Sequence, residues 1–207
     1  MLVAGVDSST QSVKVVIRDA DSGELVASSS QPHPDGTEVD PRAWKEALDA
    51  ALNEVSTHKV SAIAIGGQQH GMVALDRDGA IIRNALLWND TRSDSAAEAL
   101  NSEISDIHQR TGSKLVASFT ASKVRWLAYH EPENAERVAA IALPHDWLSW
   151  QLTGSSDISS LFTDRSDASG TGYFDSTANQ YCRDIFARAL RSERDVVLPK
   201  KIGRAHV

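Results

Sequence analysis

The sequence contains a single cysteine, Cys182, among 207 residues. One thiol cannot form an internal disulfide, so a reducing compartment is the simplest expectation, and we predict the cytoplasm. Long apolar runs are also missing. The longest apolar runs, such as residues 138–143, are far shorter than the roughly 20 residues that cross a bilayer. The N-terminus shows no signal-peptide pattern.

The chain also lacks an excess of basic residues. Its formal net charge is −7, with 24% charged residues. Nucleic acids and membrane surfaces both select for a basic face, so we predict neither as a partner. The length is sufficient to bury the core of one domain, or slightly more than one.

Several motifs of other catalytic classes are absent. The chain has no Gly-x-x-x-x-Gly-Lys-Ser/Thr loop, no Gly-x-Gly-x-x-Gly after a strand, no His-Glu-x-x-His and no Gly-x-Ser-x-Gly. The seven histidines show no metal-ligand spacing. The common nucleotide-binding, metalloprotease and hydrolase signatures are therefore excluded.

The strongest signal that is present lies in residues 2–17. This segment places Asp7 and four hydroxyl side chains in a short turn between two apolar, strand-forming stretches. A turn rich in hydroxyl and amide groups offers donors to phosphate oxygens. A carboxylate at a strand end can hold a hydrated cation. The segment predicts a site for phosphate and magnesium, and an ordinary hairpin with a polar turn is the alternative.

This turn resembles the first phosphate loop of the sugar kinase, heat-shock and actin superfamily, an Asp-x-Gly-Thr-x-x-x-Lys type hairpin. Ser9 stands where that pattern usually has glycine, so the turn must tolerate a Cβ atom or take a different backbone shape.

The following residues predict an antiparallel meander, a helix and a further strand. A turn at residues 19–23 leads into a third strand at 24–28, and a polar stretch follows. Asp40 is predicted to cap a helix that begins with proline. Residues 60–65 predict a buried strand. This order matches the opening of the ribonuclease-H-like α/β fold.

Further along, helical patterns lie near residues 93–100, 121–130 and 146–152, the last ending at Gly154. Two short strands are predicted around the turn at residues 76–79.

Two polar segments follow predicted strands. Residues 66–72 surround two amides and an imidazole with three glycines, which allows a ligand to approach the backbone. Residues 88–92 offer an indole face for the C–H surface of a sugar, with amide, acid and guanidinium groups beside it. The alternatives are a glycine-rich strand end for the first segment and a capped helix start for the second.

Together with residues 118–127, 143–148 and 163–171, these segments identify the chain as similar to the N-terminal half of the FGGY carbohydrate kinases. The resemblance runs from Leu2 to about Leu198. The family's signature pattern, which includes residues 118–127 and extends past them, is nearly satisfied and fails only at Tyr129, where a polar residue is usual.

The resemblance implies a two-halved enzyme that uses ATP and Mg²⁺ to phosphorylate D-xylulose to D-xylulose 5-phosphate. It implies that Asp7 positions the transferring phosphoryl group and holds the metal through water. The implied phosphate-loop residues are Ser9, Thr10, Gln11 and Lys14. The implied sugar contacts are Gln69, His70, Trp88, Asn89 and Asp90, with residues 118–120 also lining the pocket. Residues 164–169 would be architectural.

The same resemblance places the general base in a Gly-Gly-Asp-Asn type segment of the second half, and this chain has no such segment. We therefore expect residues 1–201 to be the first, sugar-binding domain and to be inactive alone. Residues 202–207 read as one frame of a sequencing adapter and are expected to be non-native, with a natural basic tail as the alternative. A homodimer is left open for the full-length protein.

Two other functions compete with xylulose phosphorylation. The first is a kinase for another pentulose or polyol, such as ribulose, ribitol or glycerol. The Gln69 and His70 pair and the stretches 32–34 and 38–41 favour xylulose, since glycerol kinases usually carry Arg-Glu at the pair. The second is a non-catalytic sugar-binding protein of the same fold, which would be expected to have lost Asp7 or to carry a DNA-binding helix-turn-helix.

Overall fold

The computed structural model describes residues 1–202. The strands and helices follow the chain in the order β1 Leu2–Ser8, β2 Ser12–Asp19, β3 Leu25–Pro32, β4 Glu38–Val39, α1 Pro41–Glu54, β5 Ala62–Gly67, β6 Val73–Leu75, β7 Ala85–Leu86, α2 Asp94–Glu103, α3 Ile107–Thr111, α4 Thr120–His130, α5 Pro132–Arg137, β8 Ala140–Ala142, α6 Pro144–Leu152, β9 Phe162–Thr163, α7 Arg165–Ser169, β10 Phe174–Asp175, β11 Gln180–Tyr181, α8 Arg183–Leu190 and β12 Lys200–Lys201.

The main sheet has the strand order β3-β2-β1-β5. Strands β1 to β3 form the predicted antiparallel meander, and β5 pairs with β1 in parallel after the helix α1. Asp40 caps α1 as predicted, because its carboxylate accepts a hydrogen bond from the backbone N–H of Arg42. The observed order agrees with the predicted opening of the fold.

The third strand is longer than the sequence predicted. The polar stretch was expected to begin at Ser29, but β3 continues to Pro32. The serine hydroxyls are satisfied within the fold, since Ser29 donates to the carbonyl of Ala51 and Ser30 donates to that of Val13. Polar side chains therefore do not end a strand when neighbouring backbone accepts their protons.

The prediction that residues 60–65 form a buried strand was wrong in its burial. The strand exists as β5, but most of its residues are exposed, and the side chain of Ile63 is 41% exposed. The physical reason is its place at the edge of the sheet, where it has one neighbouring strand. An apolar run of this length does not by itself distinguish an edge strand from a central one.

Two hydrophobic clusters fill the interior. One lies between the main sheet and the helices α1 and α6, and includes Val15, Trp44 and Trp147. The other lies among α2, α4 and α8, and includes Leu100 and Ile185. The helices predicted near residues 93–100, 121–130 and 146–152 correspond to α2, α4 and α6.

Gly154 follows α6 with a φ of +70°, the conformation that a helix-ending glycine favours.

The last residues of the chain lie outside the described part of the structure. Of the segment predicted as a non-native tail, residues 203–207 lie outside the described residues. Within residues 1–202, no helix is both long enough and apolar enough to cross a membrane.

Candidate functional site

A cleft of about 340 Å³ opens at one end of the main sheet. Because β1 and β5 run in parallel, their carboxyl ends meet at this edge, and the segment that follows β7 closes one side. The residues that line the cleft are Asp7, Ser9, Thr10, Gly67, Gln68, Gln69, His70 and Trp88. Six of them were predicted site residues, and they come from three separate segments of the chain.

The turn after β1 is held by hydrogen bonds of its own. The backbone N–H and the hydroxyl of Ser9 both donate to the carbonyl of Ser12, each across 3.0 Å. The buried His33 reaches the turn from the end of β3, with Nδ1 2.9 Å from the carbonyl oxygen of Ser9. Ser9 is not among the non-glycine residues with positive φ in residues 1–202, so the turn accommodates a Cβ atom here.

Asp7 lies at the carboxyl end of β1 with an exposed side chain. Its register partners are Lys14 on β2 and Gly66 on β5. Within residues 1–202, its carboxylate has no hydrogen bond or ion pair, and Asp7 lines the cleft without a competing partner. Lys14 is exposed on the adjacent sheet surface and does not line the cleft itself.

His70 also lines the cleft and has an uncommon backbone conformation, with a φ of +64°. Its ring packs against that of Phe119, with the centroids 5.1 Å apart. Its backbone carbonyl accepts a hydrogen bond from the hydroxyl of Thr120. Burial lowers the pKa of His70, and the nearby charge of Lys123 acts in the same direction. The predicted segment 118–120 therefore packs against His70, which in turn lines the cleft.

Trp88 also lines the cleft, and 48% of it is exposed. Its indole N–H donates to the hydroxyl oxygen of Thr10 across 2.9 Å. A hydroxyl group that accepts in this way still has its own proton to donate to another group. The bond therefore fixes the indole without using the donor capacity of Thr10.

Asn89 and Asp90 do not line the cleft, and the carboxylate of Asp90 forms its hydrogen bonds within the protein. One oxygen of this buried carboxylate accepts from the hydroxyl of Thr37 at 2.7 Å, and the other accepts from the backbone N–H and Nε of Arg92. Burial opposes ionisation, but these donors outweigh it and lower the pKa of Asp90. Asp90 stabilises the loop through these hydrogen bonds. Asn89 and the predicted phosphate-loop residue Gln11 are exposed and do not line the cleft.

A charged cluster lies behind the His70 wall. The Nδ1 atom of His145 is 3.0 Å from a carboxylate oxygen of Asp146 and 2.7 Å from one of Asp167. Burial opposes protonation of the imidazole, but the two carboxylates outweigh it and raise the pKa of His145 to about 10. The cluster joins α6 to α7, and the architectural role of the segment that begins at Asp164 stays a prediction.

Sequence reasoning did not identify Lys123 as part of this framework. Its ammonium group is fully buried and donates to the carbonyls of Ala117 and Ser118, at 2.8 and 2.5 Å. Burial lowers its pKa to about 7, against the opposing charge of Asp90. His33 was likewise not predicted to support the turn. Neither role leaves a local signal, because the carbonyls that bind these side chains have no residue-specific chemistry.

Comparisons with known proteins give a consistent result. Residues 2–205 match the profile of the N-terminal domain of the FGGY family of carbohydrate kinases. A xylulose kinase of Streptomyces coelicolor is 46% identical over 196 residues, which are 90% of this chain and 40% of that protein. A xylulose kinase sequence of an Arthrobacter species is 66% identical over 93 residues, which are 44% of this chain and 97% of that sequence.

The same similarity extends to three dimensions. The crystal structure of xylulose kinase from Bifidobacterium adolescentis superimposes with a TM-score of 0.94 and 43% identity, covering 98% of this chain and 47% of that one. The chain therefore spans between two fifths and one half of the length of these longer relatives.

Proposed function

The chain belongs to the FGGY family of carbohydrate kinases, and from this premise we propose that its cleft binds D-xylulose, which the longer protein phosphorylates with ATP to D-xylulose 5-phosphate. The predicted family and the predicted sugar-kinase fold are confirmed. The substrate is our inference, supported by the relatives named xylulose kinase and by the side chains that line the cleft.

The observation that carries the proposal is the division of the cleft into two chemically different sides. Trp88 and His70 form a wall with an indole face and an imidazole, while Asp7 and Thr10 form a wall of oxygen atoms. The indole–hydroxyl bond joins the two walls directly. A sugar on the first wall would present a hydroxyl to a phosphoryl group held at the second.

On the sugar side, the exposed face of Trp88 suits the apolar C–H surface of a pentulose. The imidazole of His70 and the exposed amide of Gln69 can form hydrogen bonds with the sugar hydroxyls. Asp90 contributes indirectly, because its bonds to Thr37 and Arg92 hold the loop that presents Trp88.

On the phosphate side, the residues fit a hydrated magnesium ion. Mg²⁺ binds hard oxygen ligands and commonly keeps several waters beside one or two carboxylates, and Asp7 offers an exposed carboxylate without a partner in residues 1–202. When bound, the ion would neutralise negative charge on the phosphate oxygens. Thr10 keeps a hydroxyl proton for a phosphate oxygen, whereas Ser9 already donates its proton within the turn.

The chain does not contain every group that the reaction needs. In-line transfer requires a base that takes the proton of the acceptor hydroxyl, and the family resemblance places that aspartate in the other half of the enzyme. We therefore propose that this chain supplies sugar binding and phosphate positioning, and that catalysis requires the second half. The cytoplasm, where ATP is abundant, is the proposed location. Assembly into a homodimer stays a prediction.

A chimaera tests the function directly. Residues 1–201 would be joined to the C-terminal half of the Streptomyces coelicolor xylulose kinase, and ATP consumption measured with D-xylulose, D-ribulose, ribitol and glycerol. We expect kcat/KM for D-xylulose to exceed the others by at least about tenfold, a difference of about 1.4 kcal/mol in transition-state binding.

Two results of this experiment would contradict the proposal. A preference for another acceptor would assign the cleft to a different sugar or polyol. Binding of D-xylulose without turnover, in a chimaera that folds and binds ATP, would favour the non-catalytic sugar-binding function.

A further inference from the structure

A hydrogen bond across one hundred residues holds the imidazole of His70. Its Nδ1 atom lies 2.6 Å from the carbonyl oxygen of Gly170, which follows α7. A backbone carbonyl oxygen can only accept a hydrogen bond, so Nδ1 must carry the proton. In a neutral imidazole the other nitrogen, Nε2, then has a lone pair and no proton.

We propose that Gly170 is a positioning residue that fixes the Nδ1–H tautomer of His70 and leaves Nε2 as the acceptor for a sugar hydroxyl in the cleft. The identity of the ligand rests on the proposed function. The tautomer and the orientation of the ring rest on the contact with Gly170 alone. Gly170 itself would contact neither sugar nor phosphate and would act only through His70.

The proximity of the two residues explains why position 170 holds a glycine. A Cβ atom on Gly170 would lie 2.5 Å from both Cε1 and Nδ1 of the His70 ring, far inside van der Waals contact. The backbone does not require glycine here, because φ is −81°. The constraint on this residue is therefore the space that the imidazole occupies.

The carbonyl of Gly170 is held in place by the elements on both sides of it. On the N-terminal side, Asp164 caps α7 by accepting from the N–H of Asp167, and Asp167 pairs with His145 at 2.7 Å. On the C-terminal side, the carbonyl of Thr171 accepts from the N–H of Ala121 across 2.8 Å. The acceptor therefore has little freedom to follow the ring if the ring turns.

The charge state of His70 supports the same assignment. Burial lowers the pKa of the ring, and the Gly170 carbonyl only partly offsets this effect. The ring is therefore neutral near pH 7.5, and a sugar hydroxyl would donate its proton to Nε2 instead of accepting one. This geometry favours an acceptor sugar with a free hydroxyl at that position over an analogue that has lost it.

The tautomer can be measured without any ligand. We would label the histidines of the 207-residue chain with ¹⁵N and record long-range ¹H–¹⁵N spectra at pH 7.5, assigning His70 by its loss in His70→Asn. We expect a protonated Nδ1 and an unprotonated Nε2. A protonated Nε2, an imidazolium or an exchanging mixture of tautomers would overturn the proposal.

A matched pair of variants tests the role of the glycine. Gly170→Ala should displace the ring, abolish the single-tautomer signal of His70 and weaken D-xylulose binding by about tenfold, the scale of one lost hydrogen bond. Gly5→Ala is the control, because its Cβ would lie at an ordinary 3.4 Å from Val16. Unchanged tautomer and affinity in Gly170→Ala would overturn the proposal.

Two variants of His70 keep the proposal falsifiable if Gly170→Ala does not fold. His70→Asn places an amide N–H near the position of Nδ1 and tolerates positive φ, so we expect a near-normal melting temperature and loss of D-xylulose binding. His70→Gln places its amide nearer Nε2 and should lose the bond to Gly170, with a lower melting temperature. The reverse order of stabilities would contradict the assignment. A fixed Nδ1–H tautomer without D-xylulose binding would support the positioning role of Gly170 and contradict the proposal that D-xylulose is the ligand.

Discussion

The indole N–H of Trp88 donates to the hydroxyl oxygen of Thr10 across 2.9 Å, and the two residues are 78 positions apart in the chain. Thr10 belongs to the turn after β1 and Trp88 to the loop after β7, so this bond connects the two sides of the cleft. The bond fixes the position of the two residues relative to each other without a ligand.

The first prediction concerns this bond. Trp88→Phe keeps an aromatic face but removes the N–H, and Thr10→Val keeps the shape but removes the acceptor. Each should destabilise the chain by about 1 kcal/mol or less, because the bond is neutral and partly exposed. The double variant should lose little more than either single variant, and chemical denaturation of all four proteins measures this coupling. Fully additive losses would show that the two residues act independently.

The second prediction separates a supporting role of Asp90 from a sugar contact. Asp90→Asn removes a buried charge that satisfies Thr37 and Arg92, so we expect a loss of about 1 to 3 kcal/mol in the free energy of unfolding. Asp78→Asn, at an exposed turn, is the control and should change stability by less than about 0.5 kcal/mol. If Asp90→Asn left the stability unchanged but abolished D-xylulose binding, the result would support a direct contact between Asp90 and the sugar.

The third prediction concerns pH and His145. The pKa of a histidine is about 6.5 in an unfolded chain, and that of His145 is raised to about 10 in the fold by Asp146 and Asp167, against the effect of burial. Between these values the folded chain holds a proton that the unfolded chain has released. The stabilisation is therefore complete below about pH 6.5, decreases as pH rises and is lost near pH 10.

Comparison of the natural chain with His145→Gln isolates this contribution. The difference in the free energy of unfolding should be larger at pH 6 than at pH 9.5, while the exposed His108→Gln should show no such trend. A difference that is constant across this range would mean that the imidazole is neutral in the fold and that it acts only by packing.

Much of the framework was predictable from local patterns. The meander β1 to β3, the capped helix α1 and the polar ends of β1 and β5 follow from apolar alternation, from Asp40 before a proline, and from glycines at a strand end. These signals are local because each residue's effect acts on its immediate neighbours. Five of the six predicted residues that line the cleft lie at or after the ends of β1 and β5, and the sixth, Trp88, follows the short strand β7.

The remaining features depend on contacts between distant segments. The bond between His70 and Gly170 and the support of Ser9 by His33 both end on backbone carbonyls, which look the same in every residue. The exposure of β5 depends on its position at the edge of the sheet, which its own apolar sequence does not specify. Asp90 carries a carboxylate, which is common in ligand-binding sites. Its supporting role is visible only in its bonds to Thr37 and Arg92.

We propose that Asp7 acts on the phosphoryl group while Trp88 and His70 bind the sugar. Turnover of the chimaera with Asp7→Asn tests it most directly, because the substitution keeps the size of the side chain and removes the charge. We predict that kcat with D-xylulose falls by about 10² to 10³-fold, the scale of one lost electrostatic stabiliser, while the KM for D-xylulose and the melting temperature stay nearly unchanged. A near-normal kcat at saturating magnesium would show that Asp7 only shapes the turn, and would contradict the account.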